Sequence, residues 1–250
     1  MKIAVCVSHV PDTATKIKIR QDRKAIDQTG VNFIINPYDE FAIEEAIKTK
    51  EKLGGDSSTC SITVGDDAAK ETIRKALAIG IDEAILLKTD KNPDSINIAK
   101  ALAEEIKSID SKIVFFGKQS VDYDSGIVGQ LTAELLGYNC ISVVVDLKIE
   151  GNKVIAEREI EGGREVVESE LPIVITTQKG LNQPRYPSLK GIMAAKKKNI
   201  TEKEIHFDQT SIEIIEMNLP PSKQPGRIVG TDVTAVPELV RLLREEAKVI

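Results

Sequence analysis

The residues best suited to chemistry fall in one stretch, GKQSVDYDSGIVGQ, residues 117–130. A glycine ends an apolar run, two acids flank a tyrosine (Asp122, Tyr123, Asp124), and Ser125 and Gly126 precede an amphipathic segment. Ser125 reads as the N-cap of that helix, and the small residues Ser125, Gly126 and Gly129 leave its first-turn amides open. Open amides and the helix dipole suit a phosphate. The acids stand too near such a phosphate to ligate it, and fit better as helix caps or as acceptors for ribose hydroxyls. On this pattern alone, simple capping by Asp124 and Ser125 is an equal alternative.

Other chemistries find less support. His9 and His206 share no ligand spacing, which argues against a metal centre or a Ser–His–Asp triad. One reads as a loop histidine and the other as a surface histidine. Cys6, Cys60 and Cys140 form no CxxC pair and each lies in an apolar or strand-like run, as small buried thiols of a reducing compartment do. Neither GxGxxG nor GxxxxGK[ST] occurs.

A second segment, RYPSLKGIMAAKKK (residues 185–198), sets Leu189 among polar and small neighbours. Pro184 and Pro187 restrict its approach, and a short helix from Gly191 supplies a base. Ile192 and Met193 are expected to pack inward beneath the loop, with Lys196 to Lys198 solvated. A leucine so placed is either a scattered surface residue or an apolar knob for a partner's pocket.

The elements that must position these residues alternate. KIAVCV (2–7), STCSITVG (58–65), EAILLK (83–88) and KIVFFG (112–117) read as buried strands. Between them lie helices: one opening at Asn36-Pro37, with Asn36 as N-cap and Asp39 and Glu40 complementing the dipole, then DDAAKETIRKALAIG and DSINIAKALAEEIKSI. Such alternation predicts right-handed βαβ units and a parallel sheet covered on both faces. After residue 140, turns at Glu-Gly-Asn-Lys and Gly162-Gly163 predict antiparallel hairpins. PIVITT (172–177) is expected to be the last strand. The fold class is therefore α/β, a three-layer αβα arrangement with a hairpin addition. Residues 1–200 form the domain, and 201–250 form an extended arm ending in the amphipathic helix VPELVRLLREEAKVI, suited to docking on another subunit.

The net charge of −5 argues against nucleic acid as the main partner. No run approaches the ~18 apolar residues of a membrane span, and MKIAVCVSHV is too soon polar for a signal peptide, so a cytoplasmic location without membrane insertion is expected.

Six blocks in order, KIAVCVSHVPD, INPYDEFAIEEAIKTKEK, ETIRKALAIGIDEAILL, GKQSVDYDSGIVGQLTAELLG, EREIEGG and LNQPRYPSLKGIMAAKKK, give the chain its resemblance to the β subunit of electron transfer flavoprotein. The resemblance covers essentially the whole length. It implies an electron carrier, an αβ heterodimer whose α subunit holds the redox-active FAD while the β subunit holds AMP structurally. It implies nucleotide contacts from Cys6, Asn36, Pro37, Tyr38, Asp39 and Val64. It extends them through the fourth loop: Gly117, Lys118, Gln119, Ser120, Val121, Asp122, Tyr123, Asp124, Ser125, Gly126, Ile127, Val128, Gly129 and Gln130. Tyr38 and Thr13 are implied to lie near the flavin of the α subunit, and Glu159 to meet an arginine of its FAD domain. Segment 182–198 is implied to be a recognition loop for dehydrogenases such as acyl-CoA dehydrogenases, with Leu189 inserted in a pocket and Tyr186, Ile192 and Met193 around it. Electron-bifurcating members hold a second FAD in place of AMP. Here Tyr123 and Gln130 replace the glycine and proline usual in that group, which favours AMP. A free-standing universal-stress-type nucleotide binder is a further alternative, weakened by the hairpin and arm. An ATP-dependent adenylating enzyme is weakened by the lack of a glycine-rich phosphate loop near the first strand.

Overall fold

The computed structural model describes residues 1–91, 93–207, 210–223 and 225–250. Residue 92 of the KTDKNPD loop and residues 208, 209 and 224 of the 201–235 stretch lie outside the described residues. In chain order the elements are β1 (Lys2–Cys6), β2 (His9–Pro11), β3 (Phe33–Ile35), α1 (Pro37–Leu53), β4 (Ser58–Gly65), α2 (Ala69–Ile79), β5 (Glu83–Lys88) and α3 (Ser95–Ser108). There follow β6 (Ile113–Gly117), α4 (Val128–Leu136), β7 (Asn139–Glu150), β8 (Lys153–Ile160), β9 (Gly163–Glu170), β10 (Ile173–Thr177), α5 (Leu189–Lys197), β11 (Ile200–Glu204) and α6 (Val236–Glu245).

The apolar strands read as continuous runs because both faces of the sheet are covered. Ile3, Val5, Ile113, Phe115, Ile173 and Ile175 point into a core shared with α1 and α2. Their neighbours Ala4, Cys6, Val114, Phe116 and Val174 point into a second core shared with α3 and α4. The nine strands stand in the order β11-β5-β4-β1-β6-β10-β7-β8-β9, parallel as far as β7 and antiparallel through β8 and β9. From β1 the chain builds outward through β4 and β5, then returns to the other side of β1 as β6. That reversal opens a crevice between the carboxyl ends of β1 and β6.

The structure corrects several expectations. PIVITT is not the last strand: β11 follows and pairs in parallel with β5, so the sheet runs past residue 200. Its sequence, ITEKE, lacks an apolar run because it is an edge strand, and its charges pair with the flanking helices, Glu202 with Lys70 on α2 and Lys203 with buried Glu105 on α3. His9 is not in a loop. It lies in β2, which pairs with β3 in a small separate sheet, with its ring stacked on Phe33 and Nδ1 2.7 Å from Thr72 Oγ1. Cys6 and Cys60 are buried, but Cys140 is exposed at the start of β7.

β7 changes partner from β10 to β8 at a bulge where Val143 adopts φ 61°, its N–H donating to Thr176 Oγ1 at 2.9 Å. A β-branched residue there carries strain of about 1–2 kcal/mol. Val143→Gly is therefore expected to leave stability within about 1 kcal/mol of wild type, because strain relief offsets the flexibility of glycine. Val144→Gly, at the fully buried neighbour, should lose about 2–4 kcal/mol. Urea unfolding midpoints compare the two directly.

Candidate functional site

Four segments meet at the crevice: Ser8 beyond β1, the start of α1, the end of β6, and the loop that follows β6. Asn36 occupies the N-cap position of α1 but does not cap it. Its Nδ2 donates to Asp39 Oδ1 and to the Gln119 carbonyl, both at 2.9 Å, and its Oδ1 accepts from Val121 N–H at 3.2 Å. Asp39 likewise does not face solvent beside the dipole. It is 4% exposed, and its carboxylate accepts from Ser8 N–H at 2.7 Å and Gly117 N–H at 3.0 Å. Burial lifts this carboxyl to about 7, while the three N–H donors pull against that rise. Position 117 must be glycine, because a Cβ there would stand 2.3 Å from Asp39 Oδ1 and 2.7 Å from the Tyr38 carbonyl carbon. Cys6 is buried alongside, its thiol pushed well up by burial and then by the charge of Asp39.

Pro37 opens α1 at its first position. The Tyr38 carbonyl accepts from Thr177 Oγ1 at 3.1 Å, and the Lys118 ammonium lies 5.0 Å from the centre of the Tyr38 ring. Val64, near the end of β4, packs on the second core. Thr13 is exposed on a turn closed by Asp12, whose carboxylate accepts from Ala14 N–H at 2.9 Å.

In the fourth loop, α4 begins at Val128, and Ser125 is not its cap. The Ser125 carbonyl instead accepts from Ser120 N–H at 2.9 Å, and its hydroxyl lies 3.0 Å from Ser95 Oγ at the start of α3. The acids are not caps either. Asp124, at φ 54°, accepts from Gln119 Nε2, and Asp122 accepts from Ser120 Oγ and from Tyr123 N–H. Gly126 lies against the Lys118 carbonyl, and Gly129 against Thr176 and Phe116, which seats the helix start on the sheet. The first intrahelical bond, from Leu131 N–H to the Ile127 carbonyl, is 2.9 Å long, and no side chain caps the amides of Val128, Gly129 and Gln130 ahead of it. An uncapped helix start of this kind fits an anionic phosphate. Tyr123, Ile127 and Gln130 are exposed beside it.

Glu159 is exposed on β8, and its Oε2 accepts from Gln178 Nε2 at 2.8 Å. Leu189 opens α5 and is 84% exposed, next to a Tyr186 that is 92% exposed. Ser188 caps this helix, accepting from Gly191 N–H at 3.0 Å. Ile192 and Met193 do not pack inward: they are 39% and 60% exposed, and only Ala195 is buried. The reason is that α5 meets α2 along a narrow stripe, where Arg74 Nη1 donates to the Ala195 carbonyl at 2.6 Å. Lys198 is not fully solvated either, since its ammonium donates to the Ile81 carbonyl.

Sequence reasoning missed Arg185. Its Nε and Nη2 grip buried Glu44 at 2.8 and 3.0 Å, and its Nη1 reaches Glu51 at 2.8 Å. Asn182 adds bonds to the Phe41 carbonyl and Glu45, each 3.0 Å. The one hint in the sequence was a pair of acids, Glu44 and Glu45, inside the apolar pattern of α1. No group of three or more His, Cys, Asp or Glu among the described residues is placed to hold a metal ion, and no described helix is long and apolar enough to cross a membrane.

Fold and site together define an open α/β sheet with a crevice at the strand-order switch, extended by a hairpin and a terminal arm. Comparison with known proteins gives the family. The electron transfer flavoprotein domain matches residues 24–207. The electron transfer flavoprotein subunit beta of Bacillus subtilis is 41% identical over 261 residues, covering 100% of both chains. That of Syntrophomonas wolfei is 41% identical over 226 residues, 90% of this chain and 88% of the relative. The mitochondrial subunit beta of Arabidopsis thaliana is 36% identical over 256 residues, 100% of both. The chain belongs to the electron transfer flavoprotein β-subunit family.

Proposed function

We propose that this chain pairs with an electron transfer flavoprotein α subunit, holds one AMP structurally in the crevice between β1 and β6, and presents a docking loop to dehydrogenases such as acyl-CoA dehydrogenases. The observation that carries the nucleotide reading is the uncapped start of α4 beside the crevice, with Asn36 and Asp39 tying the surrounding loops. FAD, held mainly by the α subunit, supplies the redox chemistry when bound. This chain's Tyr38 and Thr13 help enclose it, and Glu159 meets a cation of the α subunit's FAD domain. The bond from Gln178 engages one Glu159 oxygen, Oε2, which supports a carboxylate oriented for such an encounter. The terminal arm docks on the α subunit: no residue of α6 is buried on its own chain, and Val236, Leu239 and Val240 are exposed. The buried, unpaired thiols of Cys6 and Cys60 support a reducing compartment such as the cytoplasm.

Coexpression with a candidate α subunit tests the assignment. One AMP and one FAD per heterodimer are expected, since Tyr123 and Gln130 fill positions that the bifurcating group leaves to glycine and proline. Two flavins per heterodimer, or reduction of the complex by NADH, would transfer the chain to the bifurcating group.

A further inference from the structure

Asp39 is a buried carboxylate with no ion-pair partner among the described residues, yet three structural segments converge on it. Its acceptors serve the N–H of Ser8 beyond β1, the N–H of Gly117 at the end of β6, and the side-chain amide of Asn36 at the start of α1. Asn36 carries the linkage on to Gln119 and Val121 in the fourth loop. The bare Cα of Gly117 is what lets the carboxylate come this close. The Ser8 hydroxyl joins these donors, and the ionised carboxylate can accept from all of them. The place of Asp39 in the first turn of α1 adds the favourable field of the helix N-terminus.

We propose that Asp39 is a positioning residue whose carboxylate locks the ends of β1 and β6 to the start of α1 and so sets the width of the nucleotide crevice. This inference rests on the nucleotide reading given above. The side chain acts through Ser8, Asn36 and Gly117 rather than by touching the nucleotide.

Because burial lifts the carboxyl to about 7 from the ordinary 3.8, the lock changes charge near neutral pH. Cys6 from β1 is a titratable neighbour, and its thiol feels the Asp39 charge. Thr177, from β10, carries no charge. Opening the lock returns the carboxyl to water and to its ordinary value, so by linkage the closed form is favoured while Asp39 is protonated, and the lock loosens as pH rises through about 7. Global stability moves the same way. The folded state holds this proton more tightly than the unfolded chain does, so the group's stabilising contribution is present below 3.8 and is lost as pH rises through about 7. A pH response confined to these segments, and removed with the carboxyl, separates the lock from a merely structural carboxylate.

The test is hydrogen exchange on the heterodimer, followed in peptides covering 3–9 and 113–118 and corrected for intrinsic rates, with bound AMP counted in the same samples. Wild-type protection of both peptides is expected to fall about tenfold between about pH 6 and about pH 8. Asp39→Asn should abolish that pH dependence and weaken AMP binding about tenfold. Wild-type protection that does not change with pH would overturn the lock, and so would Asp39→Asn with wild-type protection and AMP affinity. The wild-type titration decides the matter even where the variant misfolds. A wild-type heterodimer that holds no AMP defeats the nucleotide reading, while exchange still judges the lock.

Discussion

Replacing Arg185 by methionine should lower the stability of the chain by about 2–3 kcal/mol and free the segment that carries Leu189. Glu44 is buried, and Arg185 grips both of its oxygens, donating also from its backbone N–H at 3.1 Å. Removing one partner of a buried pair costs about 3–5 kcal/mol, because the remaining charge is left without water or cation. The lower figure is expected here because the Arg185 side chain is 37% exposed, so solvent already screens part of the interaction. The second carboxylate, Glu51, lies in solvent and should contribute little. Adding Glu44→Gln to Arg185→Met should recover most of the loss, since the stranded charge is then gone. Urea unfolding of both variants measures the global effect, and proteolytic nicking within 182–198 measures the local one. A single variant within about 0.5 kcal/mol of wild type would mean that the pair holds nothing in place.

Leu189→Ala should weaken dehydrogenase-coupled turnover by roughly tenfold or more while leaving heterodimer assembly and flavin content unchanged. Leu189 makes little use of its own chain, being 84% exposed at the first position of α5. Its truncation therefore removes contact area only from a partner. Burying a leucine side chain contributes about 1.5–3 kcal/mol, and each 1.4 kcal/mol is a factor of ten in affinity. The knob stands on a prepared base: Ser188 caps the helix, Arg74 ties its last turn to α2, and Arg185 ties the approach to α1. Tyr186 and Met193 lie exposed nearby and extend the apolar surface. Lys196 and Lys197 remain in solvent, so they should affect the salt dependence of association more than its strength. Unchanged coupling in Leu189→Ala, or loss of the heterodimer, would remove this residue from the docking surface.

Much of the fold was written locally. STCSITVG and EAILLK match β4 and β5 residue for residue, because a strand covered on both faces is built from small and apolar residues without a solvated charged face. The hairpin turns were equally plain, since glycine at Gly151 and Gly162 supplies the positive φ they require. β2, β3 and β11 were not legible. The first two have three residues each, and the last is an edge strand dressed in charge, so none carries a period long enough to detect.

The candidate site divides the same way. By itself the sequence singled out a loop to consider for a phosphate, showed which leucine stood out from its surroundings, and determined to which family the chain belongs. These are properties of neighbouring residues, read within a window of a dozen or so. Only the tertiary structure decided what the polar side chains do. Ser125, well placed by sequence to cap α4, bonds instead to Ser120 and Ser95. Asn36 and Asp39, well placed to start α1, reach across to Val121 and Gly117, 85 and 78 residues away. Glu44 looked like a misplaced charge until Arg185, 141 residues further on, arrived beside it. A polar group about to be buried must find a partner or stay in water. Which partner it finds depends on the segments that folding brings within about 3 Å, and no local pattern carries that information.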